Sequence, residues 1–340
     1  MSASASAADI QQAATILESG GLVAFPTETV YGLGADAENP AAVARIYAAK
    51  GRPANHPVIV HLAPEADIEY WASEIPPQAR QLIAAFWPGP LTLILKRAPQ
   101  IPDAVSGGQD TIGLRCPSHP VAQALLRAFK HGMGGIAAPS ANKFGHVSPT
   151  TAQHVRDEFG AEAGNLVERI LDGGQSAVGI ESTILDLSRV AACGPVLLRP
   201  GHISAAQIAA VIGTLPRAAD DAAPRASGTL QAHYAPRTPV ALVASERLPL
   251  TLQQLARAQR TVALIHRAVH AFPAVAAQCA LPDAPEGYAH DLYAALRSMD
   301  ATNADIILIE AVPDVDAWQG INDRLRRAAH DSAGALERLL

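Results

Sequence analysis

At 340 residues the chain is longer than one ordinary domain, so two domains are the expectation. A formal net charge of −6, from 26 basic and 32 acidic side chains, argues against a surface that tracks extended nucleic-acid backbone, while a local cation cluster for a small anion stays open. The three cysteines, Cys116, Cys193 and Cys279, form no C-x-x-C pair, which argues against a disulfide framework or a thiolate zinc site. No apolar run approaches the length of a membrane span, and the first residues show no basic and apolar signal pattern, so the expected location is the cytoplasm.

Taken in order, residues 8–19 carry apolar side chains at helical spacing and stop at Gly20-Gly21. Residues 21–25 read as a buried strand. Asn39-Pro40 is a helix start of the cap-then-proline kind, and Gly51 to Pro53 ends that helix with Lys50 and Arg52 beside the break. Residues 58–62, 91–95 and 111–115 read as strands, with helices at 77–86 and 120–129 between and after them. Residues 136–138 are extended and turn away at Pro139, and 148–151 open a further helix. Extended pieces follow at 166–171, 182–187 and 196–199, and Ser204 caps a helix to residue 212. The mixture points to an α/β domain with a mixed sheet rather than a repeating βαβ array.

Residues 214–237 lack apolar periodicity and read as a linker. Beyond them strands at 240–244, 262–266 and 305–310 alternate with helices at 250–258, 287–299 and 320–329. That alternation is the mark of a small parallel, doubly wound sheet.

The chemistry concentrates first at residues 25–34, F-P-T-E-T-V-Y-G-L-G. A buried strand stops at Pro26, and Thr27, Glu28, Thr29 and Tyr31 follow within six positions. Gly32 and Gly34 are expected to let backbone approach a ligand. They do not make a dinucleotide fingerprint, because the next helix is capped only at Asn39. No phosphate loop, H-E-x-x-H or G-x-S-x-G run is present, and the histidines do not pair at metal-ligand spacing, so no protein metal site is expected. Lys50, Arg52, Arg115, Ser140, Ser182, Thr183 and Arg199 each stand at an end of an expected element. Brought together, they would suit a polyphosphate or carboxylate, with arginine as the bidentate partner and lysine as a point charge.

These blocks carry a resemblance. P-T-E-T-V-Y-G-L-G, K-G-R-P at 50–53, V-I-V-H-L at 58–62 and W-P-G-P-L-T at 87–92 are joined by T-I-G-L-R-C-P at 111–117 and A-A-P-S-A-N at 137–142. E-S-T-I at 181–184 and L-L-R-P-G at 197–201 complete the series. In that order they resemble the YrdC-like family of threonylcarbamoyl-AMP synthases over residues 8–213. H-Y-A-P at 233–236 and G-I-N-D-R-L at 320–325 resemble its long, two-domain form. Ser227-Gly228 stands where that form often has Pro-Gly, and His56 where members often have Asn.

The resemblance implies a concave α/β catalytic domain around a twisted mixed sheet at 8–213, a linker covering the active site at 214–237, and a small Rossmann-like domain with a parallel sheet at 238–340. It implies synthesis of L-threonylcarbamoyladenylate and pyrophosphate from L-threonine, bicarbonate or CO₂, and ATP, toward the threonylcarbamoyl modification of adenosine 37 in tRNA. Thr29, His61, Arg115, Ala138 and Ser182 match positions that hold threonine. Arg52, His56, Thr111, Ser140, Ser148 and Arg199 match positions that hold ATP. Asn142 belongs with Lys50 in the polar phosphate set, and His233 with Tyr234 matches the linker over the nucleotide. Lys50 and Arg52 are the expected catalytic cations, acting with Mg²⁺ held mainly by phosphates. The implied partners are the downstream machinery that transfers the group to tRNA, with at most a weak contact to tRNA itself. A hydrogenase-maturation carbamoyltransferase is disfavoured by its missing extra segments, and an RNA-binding module by net acidity and few aromatics.

Overall fold

The computed structural model describes residues 5–160, 166–229, 233–267 and 275–340. The chain divides into two units: Met1–Phe144 with Pro149–Thr229, and Gly145–Ser148 with Leu230–Leu340. Residues 230–232 of the expected linker lie outside the described residues.

Local chemistry sets the ends of the first unit's helices. Asn39 accepts the N–H groups of Ala41 and Ala42 at 3.1 and 3.2 Å, so the helix Pro40–Lys50 begins where an orphan pair of donors is satisfied. Gly51 ends it with φ 64°, a conformation that a side chain would strain. Ser204 and Gln207 form a reciprocal capping box for Ala205–Ile212.

Eleven strands form one mixed sheet: β1 (Val23–Phe25), β2 (Gly32–Asp36), β3 (Ile59–Leu62), β4 (Ala72–Glu74), β5 (Leu91–Arg97), β6 (Thr111–Arg115), β7 (Gly135–Ala137), β8 (Arg169–Ile170), β9 (Thr183–Asp186), β10 (Val196–Arg199) and β11 (Arg217–Ala218). Their order is β11-β10-β9-β5-β6-β3-β7-β2-β1-β8, with β4 pairing β5. Side chains alternate between the two faces. Val58, Val60, Leu62, Leu91, Leu93, Leu95, Ile112 and Leu114 enter the main apolar cluster. Ile59, Ile94, Ile184, Val196 and Leu198 belong to a separate, smaller cluster on the other face. By the same alternation His61, Thr92, Thr111, Gly113 and Arg115 share that second face.

Several expectations change. Gly32 and Gly34, read as opening the backbone to a ligand, lie in the buried strand β2, antiparallel to β1 and β7. The glycine serves the protein's own packing: a Cβ on Gly34 would meet Ile136 Cγ2 and Phe25 Cε1, both at 2.8 Å. The extended piece at 166–171 is only the two-residue strand β8, and β11 lies inside the stretch read as linker.

The second unit has four parallel strands, β12 (Val240–Val243), β13 (Val262–His266), β14 (Ala277–Ala280) and β15 (Ile306–Glu310), in the order β12-β15-β13-β14. Helix Leu248–Arg257 buries Leu248, Leu252 and Leu255, one stripe at helical spacing, against Val262, Leu264, Ile306 and Leu308. Helices Pro285–Asp300 and Gln319–Ala329 follow the expectation, whereas β14 and the final helix Ala335–Leu339 were not read from the sequence. Among the described residues no helix is long and apolar enough to cross a membrane.

Candidate active site

The first unit's site is built on one rung of the mixed sheet. His61 on β3 and Arg115 on β6 are register partners, and Arg115 lies one residue past the Leu93–Leu114 pair, beside Thr92 of β5. The Thr92 and Ser182 hydroxyls are hydrogen-bonded at 2.7 Å, which brings in the residue before β9. Gly113 keeps the floor between Thr111 and Arg115 low: a Cβ there would already touch Ile94 at 3.2 Å.

The P-T-E-T segment forms a turn tied to itself. Thr27 Oγ1 donates to Val30 O at 2.6 Å, lies 2.8 Å from Thr29 Oγ1, and accepts from the N–H groups of Thr29 and Val30. Tyr31 donates to Gly174 O at 2.7 Å and is part of the packing, its hydroxyl pKa pushed up to about 12 by burial. Arg115 is almost fully buried and faces Glu28, with Nη2 2.7 Å from Oε1. Its Nε donates to Gly89 O at 3.3 Å. His61 is fully enclosed, and burial first, then the Arg115 charge, pulls its pKa down to about 3, so the ring is neutral near pH 7. Ala138 is placed by its N–H donating to Ile59 O at 2.9 Å.

A second group is cationic. Arg199 donates from Nε and Nη2 to Ser182 O at 3.1 and 2.9 Å, and from Nη1 to Ser227 O at 2.9 Å. Arg52 Nη2 donates to Pro57 O at 2.8 Å and contacts Ser227 Oγ at 3.4 Å. Ser227 thus touches both guanidinium groups, while Arg225 anchors the same segment to Gly107 and Gln109. His56 is half-buried and packs edge-on against Phe144; burial, then Arg52, lowers its pKa. Thr111 is buried on β6, Asn142 is buried with its amide donating to Lys143 O, and Ser140 bridges Gly32.

Lys50 stands apart from the expectation that it meets phosphate. It is almost completely buried, and Nζ donates to the carbonyl oxygens of Ser140 (2.6 Å) and Asn142. Burial, followed by Arg52, holds its pKa well below the usual lysine range. Its amino group pins the 140–142 turn to the end of a helix.

Ser148, His233 and Tyr234 belong to the second unit. Ser148 is buried and its carbonyl accepts Arg297 Nε at 3.5 Å. The His233 N–H donates to Arg327 O at 3.4 Å, and its ring meets Tyr234 edge-on at 4.1 Å. Tyr234 in turn packs on Tyr293 and lies under the Arg324 guanidinium at 5.5 Å. Among the described residues no group of three or more His, Cys, Asp or Glu is placed to hold a metal.

Two site residues were not assigned from the sequence: Glu28 and Thr92. The apolar-polar alternation of L-T-L-I-L would have put Thr92 on the face opposite its leucines; nothing local signalled the Glu28–Arg115 pair.

The first unit has a sheet face lined by buried arginines, hydroxyls and a neutral histidine, an arrangement suited to small charged ligands. Comparison narrows the class. The Sua5, YciO and YrdC family, described as "Telomere recombination", matches residues 15–201, and the family described as "Threonylcarbamoyl-AMP synthase, C-terminal domain" matches residues 203–330. The chain is 39% identical to the threonylcarbamoyl-AMP synthase of Pyrococcus abyssi, covering 94% of each protein. It is 40% identical to that of Bacillus subtilis, covering 94% of this chain and 92% of the relative. The crystal structure of P. abyssi Sua5 complexed with L-threonine superposes with a TM-score of 0.87 at 38% identity, covering 96% of both chains. The chain belongs to the Sua5/YrdC family of threonylcarbamoyl-AMP synthases, in its two-domain form.

Proposed function

We propose that the chain makes L-threonylcarbamoyladenylate and pyrophosphate from L-threonine, bicarbonate or CO₂, and ATP, to supply the threonylcarbamoyl group placed on adenosine 37 of tRNA. The observation that carries this reading is the rung itself: a neutral His61, the buried Arg115 and Ser182 stand together, and Arg199 holds the Ser182 carbonyl. An amino-acid wall and a phosphate wall therefore share one residue.

In this reading Arg115 takes the threonine carboxylate, with Thr29, His61, Ala138 and Ser182 around it. The amine adds to CO₂ and loses a proton, giving N-carboxy-threonine. A carboxylate oxygen then attacks the α-phosphorus of ATP, the bond to the bridging oxygen breaks, and pyrophosphate leaves in line. Arg52 and Arg199 are the cations proposed for the growing charge, because their guanidinium groups share Ser227. Thr111, His56, Ser140 and Asn142 are the proposed nucleotide contacts of the first unit; for Ser148, His233 and Tyr234 of the second unit that role rests on the resemblance alone. Lys50 supports this set by holding the 140–142 turn. Mg²⁺ enters as part of the nucleotide, on phosphate oxygens. Both the carbamate and the mixed anhydride hydrolyse readily, so the segment carrying Arg225 and Ser227 is proposed to limit water.

The test is pyrophosphate release by the full chain with MgATP. Release should require both L-threonine and bicarbonate. Release that proceeds without either one overturns the synthase reading.

A further inference from the structure

Arg115 alone would make a poor amino-acid filter. A buried guanidinium attracts any small anion, and bicarbonate, phosphate and pyrophosphate would all be at hand in the proposed reaction. The structure answers with a second charge. Glu28 Oε1 lies 2.7 Å from Arg115 Nη2, and the two side chains are 7% and 4% exposed. Glu28 is held firmly: Oε2 accepts the Ser118 N–H at 3.1 Å, and its main-chain oxygen accepts the Val178 N–H at 2.7 Å. The two atoms that face each other, Glu28 Oε1 and Arg115 Nη2, are both buried without a hydrogen bond among the described residues. They touch through charge, and each keeps its directional bonding capacity.

We infer that Glu28 is the specificity-determining residue of the amino-acid pocket: it receives the α-ammonium while Arg115 receives the α-carboxylate. Resting on the proposed function, this names how its substrate is chosen. The two ends of an α-amino acid hang on one carbon, so they meet two neighbouring opposite charges together. One Arg and one Glu leave the pocket neutral, and a zwitterion keeps it neutral. A bare anion adds a buried negative charge against Glu28, which is unfavourable. The other polar groups of the rung do not offer this discrimination. His61 is uncharged, and the Ser182 hydroxyl is shared between Thr92 and Arg199.

The experiment is calorimetric titration of the full chain with L-threonine and with 2,3-dihydroxybutanoate, which replaces the ammonium by a hydroxyl. The native protein should favour threonine by roughly ten- to a hundredfold or more, the worth of one hydrogen bond to a charged group. Glu28→Gln should lose most of that preference, chiefly by weakening threonine, with the anionic analogue holding steady or tightening. Equal binding of the two ligands to the native protein overturns the inference, and needs no variant. So does a Glu28→Gln protein, shown folded by its melting curve, that weakens for both ligands alike. Failure of the native protein to bind threonine at all sinks the proposed function itself, a different outcome from either.

Discussion

The two faces of β5 and β6 differ in kind, although they are made from alternate residues of the same strands. On one face Leu91, Leu93, Leu95, Ile112 and Leu114 are buried in the main apolar cluster. On the other, Ile94 joins a smaller apolar cluster beside a polar wall of Thr92, Thr111, Gly113 and Arg115, which is as well buried but is held by an ion pair and hydrogen bonds. Burial therefore does not separate scaffold from site in this protein. The side-chain period of two does, because neighbouring residues inevitably point to opposite faces.

The comparison breaks hardest at Arg115. Arg115→Ala strands the Glu28 carboxylate in a buried place, so stability should fall by about 3–5 kcal/mol, and the threonine requirement should rise far more than the ATP requirement. Chemical denaturation and separate KM values check both halves; equal loss for the two substrates removes Arg115 from the threonine side. Next in size is a pair of adjacent residues. Leu93→Ala should cost about 2–5 kcal/mol by leaving a cavity, with the KM values of the folded protein unchanged. Thr92→Val should cost only about 1 kcal/mol, the worth of one hydrogen bond, yet disturb threonine binding through Ser182. If both variants behave alike in denaturation and in KM, the division between faces is wrong.

The last effect is a slope. His61 holds a pKa of about 3 in the folded chain, far below the ordinary 6.5, because it is buried beside Arg115. An unfolded chain binds that proton at higher pH, so this group's contribution is full above about 6.5 and is lost as pH falls toward 3, at roughly 1.4 kcal/mol per pH unit. Denaturation midpoints of the native protein and His61→Gln, followed from pH 7 to 5, should converge. The difference isolates His61 from His56 and His119, which are also shifted down. Parallel curves would mean that the ring is less enclosed than its neighbours imply.

Much of the framework was legible because it rests on local rules. The helix Pro77–Phe86 and the strands Thr111–Arg115 and Val262–His266 match the sequence reading to the residue, each bounded by proline, glycine or a switch in periodicity. What escaped was decided at a distance. Gly32–Asp36 has the composition of a loop and becomes a strand because Gly32 fits against Ala138 and Phe25, and Gly34 between Phe25 and Ile136. Arg217–Ala218 is two exposed residues that pair only because β10 lies alongside. In the site, each cation could be noticed singly at the end of an element. That Lys50 would donate to carbonyl oxygens, and that Glu28 would find Arg115, depended on how the sheet closes.

The strand order has a consequence in time. Ninety residues separate Thr92 from Ser182, and β9 inserts next to β5 only after β6, β7 and β8 have been made. Long-range parallel pairing of this kind forms slowly, since loop closure must precede its reward. A nascent chain that ends before β9 can already bury its leucines between β5 and β6, yet it owns half a pocket. The wall proposed for the amino acid is therefore expected among the last parts of the first unit to take shape.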